Sequence, residues 1–135
     1  LQSSSAASDV YKRQTEFKDL QHYPILFVSA LTKRRVSNVL EKAWETFTKQ
    51  KEKLSTKDLN VWIEKAVKNY PPPATQGKSI KIKFVEQVQQ SPPIFALFSN
   101  YPKLISIQYL RYLHNQLRES FDLKGITIKF SLRKG

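Results

Sequence analysis

The chain has no cysteine, no methionine and only three glycines among its 135 residues. Without thiols, neither disulfides nor a thiolate zinc site can hold the fold, a composition that fits a reducing compartment. Gly77, Gly125 and Gly135 have neither the spacing nor the context of the Gly-x-x-x-x-Gly-Lys-Ser/Thr loop that cradles nucleotide phosphates. No Asn-Lys-x-Asp element for guanine discrimination precedes Pro24 either. The longest apolar runs, residues 25–28 and 94–98, fall far short of the roughly 20 residues that a membrane helix needs, which predicts a soluble protein with no membrane partner. Acidic side chains are scarce: 11 Asp and Glu stand against 23 Lys and Arg, a net charge of +12.

Hydrophobic residues, including two Trp, six Tyr and eight Phe, make up 40% of the chain, enough to build a core. The charge is uneven. Residues 1–32 carry three basic and three acidic groups, residues 33–75 ten and five, and residues 76–135 ten and three. An excess of this size predicts a polyanionic partner for the later region, above all nucleic acid, because each phosphate contact releases counterions. The bland alternative is a solvated basic surface.

Residues 1–16 lack apolar periodicity and the hydrophobic core of a signal peptide, and read as a disordered or extraneous lead-in. The missing Met and a pattern that starts abruptly near Phe17 predict a C-terminal piece of a longer protein. Residues 25–29, behind Pro24, read as a buried strand. Val36, Val39, Leu40, Ala43, Trp44 and Phe47 then recur at helical spacing up to about Lys51. On that helix Glu41 and Glu45 mimic a catalytic carboxylate pair, but the neighbouring lysines make a solvated face the better reading.

A second unit opens at Ser55 or Thr56, either of which suits an N-cap. Leu59, Trp62, Ile63, Ala66, Val67 and Tyr70 trace a helical stripe that Pro71, Pro72 and Pro73 stop. Ile80, Ile82 and Phe84 alternate with Lys81, Lys83 and Val85, the pattern of a half-buried strand whose lysines point outward. Residues 94–100 open with the unbroken apolar run of residues 94–98, as in a central strand, and are expected to pair antiparallel with the first. Leu110, Leu113, Leu117 and Phe121 share a helical face flanked by Tyr109 and Tyr112, with Gly125 at the stop. Ile126, Ile128, Phe130 and Leu132 alternate with Thr127, Lys129, Ser131 and Arg133. The expected fold is therefore α/β, more narrowly α+β: an α-β-β-α-β unit with helices on a three-stranded sheet.

In order and spacing, "STKDLNVWIEKAV", "PPP", "GKSIKIKFVEQV", "SPPIFALFSNYP" and "YLRYLHNQLRESFDLKGITIKFSLR" resemble the C-terminal KH-like domain of the EngA/Der family, GTPases with two tandem G domains. The upstream "PILFVSALTKRRVSNVL" resembles the closing strand, guanine-binding motif and last helix of that family's second G domain. "FVEQV" departs from the aromatic-Ala-Thr-Gln stretch usual there. Behind the lead-in of residues 1–16, the resemblance implies the end of a G domain over 17–53 and a KH-like domain over 54–135. It also implies that Ser29, Ala30 and Leu31 form the loop whose backbone meets guanine.

With the phosphate-binding parts missing, the resemblance implies no GTP hydrolysis, cofactor or metal for this stretch, although GTP and Mg2+ serve the full-length family. Its implied partners are ribosomal RNA of the large subunit and a G domain of the same parent, in the cytoplasm or an organelle. No Gly-x-x-Gly clamp of KH type is present, so RNA is expected to meet basic strand faces, with Lys81, Lys83, Lys129 and Arg133 as candidates. The rival reading is a protein-interaction module that docks on a G domain and relays nucleotide state. A third is a free-standing basic RNA-binding protein. His22 and His114 stand alone, without metal-ligand or triad spacing, and no catalytic residue is expected.

Overall fold

The computed structural model describes Tyr11, Glu16 and residues 22–135. Apart from Tyr11 and Glu16, the expected lead-in over residues 1–16 and the onset at Phe17 lie outside the described residues. The chain divides into two compact units, Leu1–Phe47 and Thr48–Gly135.

In the first unit, residues 25–28 form no strand, and each is 41–49% exposed. This corrects the buried strand expected from their apolar run. A strand exists only by pairing its alternate N–H and C=O groups with a neighbour. The bridge that forms here instead joins Ser29 to Arg34, whose carbonyl accepts from the Ser29 N–H at 3.2 Å. Helix α1, Val36–Gln50, follows as expected, yet it buries no residue, and Leu40 on its apolar stripe is 76% exposed. Glu45 is engaged by Lys42 at 2.9 Å, an exposed i,i+3 ion pair.

The second unit contains α2 (Thr56–Asn69), β1 (Ile82–Gln89), β2 (Ile94–Ser99), a 3-10 turn (Pro102–Leu104), α3 (Ile107–Ser120) and β3 (Lys129–Lys134). The sheet order is β1-β2-β3. β1 and β2 are antiparallel, and β2 and β3 are parallel, so α3 is the crossover that a parallel pair requires. This is the expected α-β-β-α-β arrangement, with both helices contributing to one core.

Ser55 occupies the N-cap of α2, but its side chain makes no capping bond. The corresponding bond does form at α3, where the Ser106 hydroxyl accepts from the Tyr109 N–H at 3.2 Å. The core joins Leu59, Trp62, Ile63 and Ala66 of α2 to Val85, Phe95 and Leu97 of the sheet and to Tyr109, Leu113 and Leu117 of α3. Burying each large aliphatic or aromatic side chain stabilises the domain by about 1.5–3 kcal/mol. Tyr109, expected at the flank of its helix, is wholly buried.

One expectation about β1 reverses. Ile80 points into the core before the strand begins, but within β1 it is Val85 and Gln87 that are buried, while Phe84 is 40% exposed. The register shifts between Ile82, paired with Ser99, and Phe84, paired with Phe98. The irregularity changes the phase of the alternation, because an unpaired extra residue exchanges the two faces of the strand beyond it. Gln87 tolerates its burial through hydrogen bonds: its Oε1 accepts from the Leu54 N–H at 2.8 Å and its Nε2 donates to the Gln89 carbonyl at 3.3 Å.

Candidate nucleic-acid interface

The four cationic candidates do not make the single row expected if their strands were neighbours. β2 lies between β1 and β3, so Lys81 and Lys83 are separated from Lys129 and Arg133 by a whole strand. Lys81 precedes β1, and its N–H donates to the Asn100 Oδ1 at 2.8 Å. Lys83 sits at the register shift. Lys129 pairs with Ile94 at one end of β3, and Arg133 pairs with Phe98 near the other. Lys81, Lys83 and Lys129 are exposed.

What lies between the cations is aromatic. Across the sheet, Phe84, Phe98 and Arg133 are successive partners on β1, β2 and β3. The two rings stack with centroids 4.1 Å apart and planes 14° from parallel, and the Arg133 guanidinium lies 5.9 Å from the Phe98 centroid. Because Val85, Phe95 and Leu97 face the core, this row stands on the opposite face. The sequence signal for it was the adjacent Phe84-Val85 pair, two apolar residues where strict alternation allows one.

At the same end of the sheet is an open cleft of about 520 Å³ into which Lys78, Lys103 and Lys134 converge beside Asn100 and Tyr101. A tight turn delivers Lys78: Thr75 and Lys78 exchange backbone hydrogen bonds of 3.1 and 3.0 Å, with Gln76 and Gly77 at φ of 52° and 70°. Positive φ at both central positions is the hairpin-turn geometry that matches strand twist, and glycine adopts it without steric cost. Lys78 Nζ then lies 5.0 Å from the Tyr101 ring centroid. Asn100 fixes the approach, since its Nδ2 donates to the Ser79 carbonyl at 2.9 Å. Gly135 lines the cleft and donates its N–H to the Ser99 carbonyl at 3.1 Å; a Cβ there would come within 3.0 Å of the Phe98 Cβ. The cleft and the aromatic row thus share a border.

In the first unit, Ser29, Ala30 and Leu31 form a turn that the Thr32 N–H closes onto the Ser29 Oγ at 3.3 Å. Lys33 and Arg35 follow at φ of 55° and 60°, and Leu31 is 96% exposed. In the second unit, His114 packs edge-on against Phe130 with ring centroids 4.6 Å apart, and burial, with Arg118 adding, pushes its pKa down to about 4. Among the described residues, no three His, Asp or Glu side chains gather as metal ligands would. Nor is any described helix long and apolar enough to cross a membrane.

Residues 53–133 match the family described as the KH-domain-like region of EngA bacterial GTPase enzymes, C-terminal. The chain belongs to this family. Proteins named GTPase Der align beyond the domain itself. That of Amoebophilus asiaticus is 44% identical over 113 residues, 84% of this chain and 26% of the relative. Those of Flavobacterium johnsoniae and Chlorobium phaeovibrioides are 38% and 37% identical over 91% and 95% of the chain, and 28% and 30% of their own lengths. The chain therefore spans less than a third of the curated relatives it matches. Within the KH-like domain, Leu59 and Trp62 are core while Asn60, between them in sequence, faces β1.

Proposed function

We propose that this KH-like domain binds RNA of the large ribosomal subunit during its assembly, within an EngA/Der-type GTPase that works in the cytoplasm or an organelle. The observation that carries this reading is the convergence of Lys78, Lys103 and Lys134 on one cleft. It lies within a region holding ten basic and three acidic residues. Like charges gather against their mutual repulsion where a polyanion is to be met. In this reading residues 54–135 bind RNA but catalyse nothing, Lys81, Lys83, Lys129 and Arg133 widen the cationic surface, and neither cofactor nor metal is needed. GTP and Mg2+ serve the whole protein.

A second reading concerns residues 17–53. The exposed apolar stripe of α1, including Val36, Val39 and Leu40, favours its packing within a larger G domain. Ser29, Ala30 and Leu31 would supply the backbone that meets guanine there, and the KH-like domain would dock on a G domain and relay its nucleotide state.

Changing Lys81, Lys83 and Lys129 together to Gln tests the first reading. Stability should move by no more than about 0.5 kcal/mol per site, as for exposed substitutions generally. Affinity for large-subunit ribosomal RNA should fall, and its logarithmic salt dependence should flatten by about 0.7–0.9 for each phosphate no longer neutralised. Unchanged RNA affinity and slope, with weakened binding to a separately expressed G domain, would favour docking instead.

A further inference from the structure

The Arg133–Phe98–Phe84 row is a column with one end open. The Arg133 guanidinium lies over Phe98, and Phe98 covers one face of Phe84. The other face of the Phe84 ring has no aromatic or cationic partner among the described residues. Phe84 sits on the edge strand β1, so the column ends at the margin of the sheet, where a flat molecule can continue it. Phe84 is 40% exposed, so the outer ring of the pair is left to solvent, and its surroundings favour one kind of cover. Lys83 is adjacent in sequence, Lys81 is tied to the end of β2 through Asn100, and the three-lysine cleft borders Phe98 through Gly135. The acid on this sheet face is Glu86, partner of Ala96 and two residues along β1 from Phe84, so it repels a polyanion from one end of the row while the cleft attracts it at the other. A flat ring next to a chain of negative charges is the chemistry of a single-stranded nucleic acid. Its bases stack on aromatic side chains, while its phosphates follow lysines.

We infer that the exposed face of Phe84, the outer member of the Arg133–Phe98–Phe84 column, stacks an unpaired base of a single-stranded RNA segment whose phosphates run into the Lys78–Lys103–Lys134 cleft. This rests on the RNA-binding reading above and gives it a form of substrate: looped or unwound RNA, whose bases are free to splay, rather than a continuous helix. A duplex hides its base faces in its own stack and offers the column nothing.

The test measures binding of the full chain to labelled 12-nucleotide oligo(U) and oligo(A), and to an RNA duplex of 12 base pairs, at several salt concentrations. Phe84→Ala should weaken single-strand binding about 5- to 150-fold while leaving its salt slope and its duplex binding unchanged. Phe84→Tyr, which keeps the ring, should bind like the parent. Replacing Lys78, Lys103 and Lys134 with Gln should instead flatten the single-strand slope by about 0.7 for each phosphate no longer neutralised. An unaltered thermal transition in Phe84→Ala shows that the fold is intact. Phe84→Ala that binds single strands as the parent does, or that loses duplex and single strand equally, overturns the stacking site and leaves RNA binding by charge standing. Loss of affinity for a separately expressed G domain with single-strand binding intact overturns it in favour of a protein contact. A parent chain that binds none of the three RNAs overturns the RNA-binding reading and the stacking site together.

Discussion

The side-chain amide of Asn60 grips both main-chain groups of Val85: its Oδ1 accepts from the Val85 N–H at 3.0 Å and its Nδ2 donates to the Val85 carbonyl at 3.1 Å. A single side chain thus does for edge strand β1 what a neighbouring strand would do, and it locks α2 to the sheet. The same Nδ2 also donates to the Thr56 carbonyl at 2.7 Å. Asn60→Ala should therefore cost about 1–3 kcal/mol, the penalty for stranding partly buried donors and acceptors. Urea unfolding measures it as a lowered midpoint with an unchanged slope. Asn60→Asp keeps the acceptor but loses both donations, so it should not restore stability at neutral pH.

Two tyrosines of α3 complete the far end of α2. Tyr112 donates its hydroxyl to the Ala66 carbonyl and Tyr109 to the Tyr70 carbonyl, both at 2.9 Å. The Ala66 carbonyl already accepts from the Tyr70 N–H at 3.0 Å, so Tyr112 adds a second bond there, whereas the Tyr70 carbonyl lies just beyond the helix, where its own bonding has run out. Tyr112→Phe and Tyr109→Phe should each cost about 1 kcal/mol, seen as a lower thermal midpoint with the fold retained. Burial raises the pKa of both hydroxyls above the ordinary 10.0. The folded state thus favours the neutral phenols, and their contribution should persist up to about pH 10 and fade as the pH rises beyond it. If stability is flat across that alkaline range while secondary structure is retained, the hydroxyls contribute nothing of the kind.

His114 should make the domain acid-sensitive. Its pKa falls from 6.5 to about 4 because burial against Phe130, with Arg118 adding, disfavours the cation. The unfolded chain takes up a proton near pH 6.5 and the folded chain does not, so the stabilisation is complete above that pH and declines as the pH falls toward 4. The interval sets a ceiling of about 3 kcal/mol. His114→Gln, which has no proton to gain, should flatten the fall in unfolding free energy between pH 6.5 and 4. An identical fall in both proteins would assign it to carboxylates instead.

Removing residues 1–52 should leave a folded KH-like domain. Every core residue lies between Leu59 and Ile128. What the cut removes from this unit includes the exposed Lys49–Asp122 ion pair of 2.8 Å, a class of interaction worth about 0–1 kcal/mol. Calorimetry should show one cooperative transition within a few degrees of that of the full chain. A truncated chain without such a transition would place the boundary further upstream.

Much of the fold could be read along the chain. The stripe Leu59–Trp62–Ile63–Ala66 and the Leu113–Leu117 pair repeat at helical spacing, and the unbroken apolarity of β2 announces a central strand. These are local patterns, and helices close their hydrogen bonds locally. The row Phe84–Phe98–Arg133 and the cleft of Lys78, Lys103 and Lys134 could not be read this way, because strand order and register bring their members together from distant parts of the chain.

The amino-acid sequence by itself determined which segments of the second unit are helical and which are extended, that its helices must bury one face, and that the chain is strongly cationic. Periodicity and composition are properties of neighbours along the backbone. The tertiary structure alone decided that residues 25–28 form no strand, that β1 turns Val85 inward and Phe84 outward, and that β2 separates the basic residues of β1 from those of β3. The physical reason is the same in each case: a strand's pairing, phase and neighbours are set by hydrogen bonds to other segments, and a single irregularity in register exchanges its two faces.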